Sequence, residues 1–217
     1  MQARSSTGLL RSSQKKEHLE KRVNSKLYRW LRVKVNDELV GFLKAHALPA
    51  SDAVVVEAGC GLAEGAVALA DVPKVKLSVA LDLSRPLLRA VRDRHPKVCL
   101  VQGDLFRLPF KPGSCDLVWN NSTIEHVHET RRAIYEMVHV TKPGGRIFIG
   151  VPYRNGPFFF QGLVPWTDLG RWIGKLFDQS TLAVEVEGTG VEMERFTTYF
   201  FRAFVGCLAR KTHPPAG

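Results

Sequence analysis

Between residues 52 and 152 the sequence alternates short apolar, β-branched runs with amphipathic stretches, and no other feature limits the fold as tightly. Ala53–Glu57 reads as a buried strand ending in a glycine-containing turn, and Ala63–Ala70 as the helix that follows. Leu77–Leu81 and Arg85–Arg94 form the next strand–helix pair, with Pro86 acceptable in the first turn of a helix. Val98–Gln102, Cys115–Trp119 and Arg146–Val151 are three further strands. Thr130–Thr141 is a helix with Ala133, Ile134, Met137 and Val138 on one face, and Pro143-Gly144-Gly145 is a turn. This alternation predicts parallel βαβ units in an α/β sheet that is doubly wound, with helices covering both faces. Ligands in such sheets bind outside the carboxyl ends of the strands, so the residues just past each strand matter most.

Before this region lies a basic arm. Of the net charge of +10, residues 1–34 hold ten basic against two acidic groups, a net of +8, and leave the rest of the 217-residue chain close to neutral. Leu19, Val23, Leu27, Leu31 and Val35 recur every four residues, which is helical spacing, and a second helix is expected from a cap at Asn36 or Asp37. The chain thus divides into a flexible basic tail (1–13), an N-terminal helical extension (14–48) and one domain (49–217). The tail's Ser and Arg content also matches a mitochondrial transit segment, the minor alternative to a cytoplasmic protein. Cys60, Cys99, Cys115 and Cys207 fit neither a zinc pattern nor a disulfide framework, so no metal is expected and free thiols in a reducing compartment are. No run approaches the roughly 20 apolar residues of a membrane span.

The first strand-end turn is Glu57-Ala58-Gly59-Cys60-Gly61-Leu62-Ala63-Glu64. Gly59 and Gly61 permit a tight turn and close approach of a ligand to the backbone. A dinucleotide fingerprint requires glycine where Glu64 stands, and a carboxylate there repels a pyrophosphate. Asp82 ends the second strand, where a carboxylate accepts from ribose hydroxyls, and Asp104 follows the third, where one accepts from an adenine amino group. Three carboxylates at three successive strand ends suit a cationic nucleoside better than a diphosphate. Each position also has a purely structural reading: the glycines as a simple turn, Asp82 as a helix cap, Asp104 as the cap of a local turn.

Five segments carry a resemblance: VVVEAGCGLAEG (54–65), VALDLS (79–84), QGDLFRLPF (102–110), CDLVWNNSTIEHVHE (115–129) and VTKPGGRIFIGVP (140–152). In this order and spacing they resemble the class I S-adenosylmethionine-dependent methyltransferases, of the group acting on small molecules and lipids. The resemblance implies a mostly parallel, seven-stranded Rossmann-like sheet ending in an antiparallel pair. Ala203–Lys211 is similar to the last strand of that pair, and Thr181–Val186 is matched to the other. It also implies S-adenosylmethionine as cofactor and S-adenosylhomocysteine as product. Gly59, Cys60 and Gly61 would contact the methionine part, with Glu57 near its amino group. Asp82 would hold the ribose and Leu83 lie against the adenine, whose edge Asp104 and the backbone of Leu105 would read. Asn120 and Asn121, just past the fourth strand, would line the pocket near the sulfonium. Ala63 departs from the family, which usually has a third glycine there.

An acceptor hydroxyl needs a base, and His126, past the fourth strand, is the first candidate, ahead of His128 and Tyr153. The insertion at 153–180 carries Phe158, Phe159, Phe160, Trp166, Trp172 and Phe177, and a helix capped by Thr167 or Asp168 is expected within it. It reads as a cover over an apolar acceptor site, as a helix that only closes the core, or as a membrane-surface contact with Trp and Phe at the interface beside the basic arm. The expected activity is methyl transfer to a small or lipid-like acceptor, at oxygen. RNA- or protein-directed methylation through the basic arm, and non-catalytic binding of the cofactor, stay open beside it. The arm also suits peripheral contact with an anionic membrane or RNA, and the oligomeric state stays open.

Overall fold

A computed structural model describes residues 26–92, 94–157, 159 and 173–212. Helix α1 (Lys26–His46) leads into β1 (Ala53–Ala58), α2 (Glu64–Ala70), β2 (Val75–Asp82), α3 (Arg85–Arg92) and β3 (Cys99–Gln102). Then come β4 (Cys115–Asn121), a 3-10 turn at Ile124–His126, α4 (Thr130–Val140), β5 (Thr141–Pro152), α5 (Gln179–Val186), β6 (Val191–Tyr199) and β7 (Phe204–Lys211). The strands form one seven-stranded sheet in the order β3-β2-β1-β4-β5-β7-β6. β1 to β5 run parallel, and β7 is antiparallel to both of its neighbours. The order reverses between β1 and β4, which places the ligand crevice of a doubly wound sheet at the ends of these two strands.

Alternation along each strand builds a core on both faces. Val56, Val118, Ile147 and Ile149 point to one side and are buried with Ile134 and Met137 of α4 and Leu182 of α5. Val55, Leu117, Trp119 and Phe148 point to the other and meet Val35, Leu39 and Leu43 of α1. At Gly65, an added Cβ would run into the buried ring of Trp119 and come within 3.2 Å of Asn36 Oδ1, so glycine is what lets α1, α2 and β4 meet. Ala usually gains about 0.5–1 kcal/mol over Gly within a helix. Overpacking a buried site costs about 1–3 kcal/mol and outweighs it. Gly65→Ala is therefore expected to lower the urea midpoint; a raised midpoint would show that Trp119 moves aside.

Three expectations need correction. The break at Asn36 or Asp37 does not exist: α1 is continuous, and Asn36 is buried with its Nδ2 donating to Arg32 O at 2.9 Å. Packing of Val35, Leu39, Val40 and Leu43 on one face carries the helix through a residue that reads locally as a cap. Thr181–Val186 is part of helix α5, and the sixth strand is Val191–Tyr199. Asp178 is the reason: its Oδ1 accepts from Thr181 N at 2.8 Å while Thr181 Oγ1 accepts from Asp178 N at 2.8 Å, a reciprocal cap that outweighs strand propensity. Pro143-Gly144-Gly145 lies inside β5 as a local irregularity, where the register against β4 shifts between Cys115 and Leu117. Phe204–Lys211 is the last strand as expected. The tail at 1–13, the arm up to residue 25, and Phe158, Phe160, Trp166, Thr167, Asp168 and Trp172 of the insertion lie outside the described residues.

Candidate active site

The crevice begins with the turn after β1. Gly59 N and Cys60 N both donate to Leu81 O, at 2.8 and 2.9 Å, which folds the turn over the end of β2. Gly59 has φ +81, and a Cβ on it would sit 2.6 Å from the Thr123 side chain, whose hydroxyl donates to Gly59 O at 3.0 Å. Gly61, at φ +55, faces open space. Ala63 has φ 58, a left-handed conformation that explains why glycine is the usual residue there. Cys60 is fully buried, and burial pushes its thiol far up, so it supplies backbone and no thiolate.

Asp82 holds this turn from β2. Its Oδ2 accepts from Gly61 N at 2.9 Å and its Oδ1 from Ser84 N at 2.7 Å. A carboxylate offers about four lone-pair sites, so half of its capacity is left for further donors. Leu83, next to it, is 69% exposed. Asp104 is exposed, and its Oδ1 accepts from Phe106 N at 3.0 Å, while Leu105 is half-buried against the core. Glu57 is 2% exposed, and its Oε2 accepts from Ala66 N at 2.7 Å, so it caps α2 from beneath the turn. Burial pushes its carboxyl up to about 8.

Asn120 and Asn121 are the last residues of β4, not the first beyond it, and they point to opposite faces. Asn120 is fully buried, donating from Nδ2 to Ala58 O and accepting at Oδ1 from Ile124 N at 3.3 Å, which ties the ends of β1 and β4 together. Asn121 Oδ1 accepts from the Tyr199 hydroxyl at 2.7 Å, and its Nδ2 is buried with no partner. His126 closes the 3-10 turn with a side chain 42% exposed and Nε2 3.8 Å from Glu125 Oε1. His128 is exposed and Tyr153 is buried. The end of the insertion folds back onto this loop: Lys175 N donates to Glu125 O at 3.1 Å, and Lys175 Nζ donates to Val127 O at 2.9 Å.

Sequence reasoning gave no role to Glu125. The residue is 2% exposed, its Oε2 has no hydrogen-bond partner, and burial pushes its carboxyl up to about 8. The positive charge of Arg32 on α1 opposes this shift at both Glu125 and Glu57. Tyr199 was hidden because β6 was not recognised. Among the described residues no three His, Cys, Asp or Glu side chains gather as a metal site. A cavity of about 450 Å³ beside His46, Arg146 and Arg210 lies at the opposite end of the strands, where Glu194 bridges the two arginines, and it touches none of these groups.

The residues present fit a nucleoside carrying a cation. Asp82 keeps acceptor capacity, Leu83 offers an exposed apolar face, Gly61 opens onto free space, and Asn121 and Glu125 have buried polar atoms without partners. Residues 56–149 match the methyltransferase domain family. Over this segment the chain is similar to the class I S-adenosylmethionine-dependent methyltransferases. The domain is 34% identical over 125 residues to a protein of Mycolicibacterium smegmatis described as a probable S-adenosylmethionine-dependent methyltransferase, covering 58% of this chain and 46% of that one. It is 34% identical to the demethylmenaquinone methyltransferase of Renibacterium salmoninarum, over 56% of this chain and 46% of the relative. To the malonyl-[acyl-carrier protein] O-methyltransferase of Erwinia pyrifoliae it is 33% identical, over 59% and 48%. The matches thus span less than half the length of these relatives. Magnesium protoporphyrin IX methyltransferase from Synechocystis PCC 6803, solved with bound S-adenosylhomocysteine, shares the Rossmann-like fold of the methyltransferase domain. Its TM-score is 0.69 at 16% identity, over 87% of this chain and 88% of that one. Among the described residues no helix is long and apolar enough to cross a membrane.

Proposed function

We propose that the chain transfers the methyl group of S-adenosylmethionine to a small or lipid-like acceptor, at oxygen, by in-line displacement. The reading is carried by the crevice at the β1, β2 and β3 ends, where Asp82 and Asp104 follow one another beside a turn open at Gly61. Asp82 takes the ribose hydroxyls on its remaining lone pairs, and Leu83 lies under the adenine. Asp104 and the Leu105 N–H read the adenine edge, and Gly59 to Gly61 face the methionine part, with Glu57 buried beneath. When bound, the cofactor supplies an electrophilic methyl whose displacement depends on alignment more than on covalent help.

The acceptor side is the loop after β4, where the returning end of the insertion is fastened to Glu125 and Val127. His126 stands there, partly exposed, to take the proton of an acceptor hydroxyl. A lipid-like acceptor agrees with the demethylmenaquinone and malonyl-acyl-carrier relatives, and oxygen with the second of them.

Calorimetry with S-adenosylmethionine and S-adenosylhomocysteine is expected to show binding in the micromolar range. Release of the demethylated product should then depend on a hydroxylated aromatic or an acyl carboxylate acceptor. With a hydroxyl acceptor, His126→Ala is expected to lower turnover about a hundredfold or more while leaving cofactor affinity unchanged; with a carboxylate, which has no proton to give up, turnover should hold. An absence of binding would sink the whole reading, whereas binding with His126→Ala as active as the natural chain on a hydroxyl acceptor would remove only the base.

A further inference from the structure

We infer that the carboxyl end of the sheet is a docking face for an anionic phospholipid bilayer, with the β6–β7 hairpin tip as its apolar anchor. Tyr199 ends β6, Phe204 begins β7 opposite Pro152 at the end of β5, and so the tip at residues 200–203 stands at the same end as the crevice. Phe200, Phe201 and Arg202 have φ of 50, 52 and 60, three successive left-handed residues of which none is glycine. Such a turn persists only where its surroundings fix it. Here Glu38 of α1 accepts from Phe200 N at 2.6 Å, Ala203 N donates to Phe200 O at 2.9 Å, and the Arg202 guanidinium lies 5.9 Å from the Tyr153 ring centre. What the tip presents is Phe201, 84% exposed.

Helix α1 brings a second apolar group to the same end. It is tied to the hairpin at Glu38 and its Asn36 meets the first turn of α2 at Gly65, so its amino-terminal part lies at the same end. Trp30 lies two turns further along, about 12 Å at 1.5 Å per residue. Trp30 is 56% exposed and Val33, three residues on and hence on the same side, 42%. The charge agrees: around Trp30 and Val33 the helix sequence carries Lys26, Arg29, Arg32 and Lys34 and no acidic residue up to Asn36. Arg154 and Arg202 add two exposed cations at the same end. Aromatic and aliphatic side chains beside a dense basic segment are what a headgroup layer takes up, the rings at the acyl boundary and the cations on anionic lipid. RNA would use the cations and a flat ring face, and has no use for Val33; Phe201 is instead packed edge-on to Phe200 at 5.4 Å. Docked this way, the crevice opens toward the bilayer and an apolar acceptor reaches it without crossing water.

The full chain, without cofactor, is to be sedimented with vesicles of phosphatidylcholine alone and with roughly one-third phosphatidylglycerol, at low and high salt. The expected result is binding to the anionic vesicles only, falling with salt. Phe201→Ser and Trp30→Ser should each weaken it about tenfold, which is the scale of withdrawing one aromatic side chain from the acyl boundary. Phe201→Trp should gain a fluorescence signal quenched by lipids brominated near the headgroup. Phe201 is exposed, so circular dichroism and cofactor affinity of its variants should match those of the natural chain. Vesicle binding unchanged in Phe201→Ser, an unquenched Trp at 201, or binding of a single-stranded RNA with none to anionic vesicles overturns the inference. The assay uses no methyl transfer, so its outcome is independent of the proposed reaction.

Discussion

Replacing Asp82 with alanine is expected to lower affinity for S-adenosylmethionine about a hundredfold, measured by calorimetry. Under the proposed function the carboxylate does two things at once. It accepts from Gly61 N and Ser84 N, which shapes the turn, and its remaining lone pairs take the two ribose hydroxyls. A hydrogen bond to a charged group contributes about 1.5–3 kcal/mol, and each 1.4 kcal/mol is tenfold in affinity, so losing two such bonds accounts for the expected change. Asp82→Asn separates the roles. An asparagine oxygen keeps one backbone bond, while its NH₂ faces a hydroxyl that must now accept instead of donate. The loss should be smaller, about tenfold, with stability held closer to that of the natural chain. If Asp82→Ala binds the cofactor as tightly as the natural chain, Asp82 is only the local cap that its backbone bonds describe, and the ribose lies elsewhere.

How far the sequence discloses such a site depends on whether local or distant interactions place a residue. β1, β2 and β4 are legible because a strand buried on both faces must be apolar nearly throughout, and Val55, Val56, Leu81, Leu117 and Val118 obey that rule. The glycine turn is legible because positive φ restricts residue type, and Gly59 and Gly61 satisfy the restriction. β6 was not legible: it is an edge strand, largely exposed along its first half, so Val191–Tyr199 lacks a continuous apolar signature. α5 was misread because Thr181–Val186 has strand-like composition, while the deciding pair, Asp178 with Thr181, begins before it. Asn36 shows the reverse error, a good cap residue overruled by four apolar neighbours packed across the sheet. Of the candidate site residues, Asp82, Gly59 and Gly61 come together in one hydrogen-bonded turn. The surroundings of Asn121 and Glu125 depend on Tyr199 and Arg32, which lie far away in the chain.

Glu125→Gln is expected to stabilise the protein at pH 8 and to destabilise it at pH 5, read from urea midpoints at both values. The sign follows from the direction of the shift. Burial raises the carboxyl from its ordinary 4.5 to about 8, so the folded chain holds a proton that the unfolded chain gives up. Below the ordinary value both states are protonated and nothing is lost. As pH rises from there to about 8 the unfolded state ionises first, stability falls, and above that range the loss is constant. For one group shifted this far the loss is on the order of a few kcal/mol. Glutamine removes the titration but leaves an amide in place of the unpartnered Oε2, which returns about 1–3 kcal/mol of cost. A net gain of about 1–2 kcal/mol at pH 8 is therefore expected. A flat pH dependence in the natural chain would show that Glu125 is hydrated or paired. Glu57 shifts in the same direction, so two buried carboxyls under α1 both weaken the unliganded fold as pH rises, and a cation entering the crevice relieves both. Binding of a cationic ligand should then release protons between about pH 5 and 8. Calorimetry of S-adenosylmethionine in buffers of different ionisation enthalpy measures that release, and Glu125→Gln should reduce it.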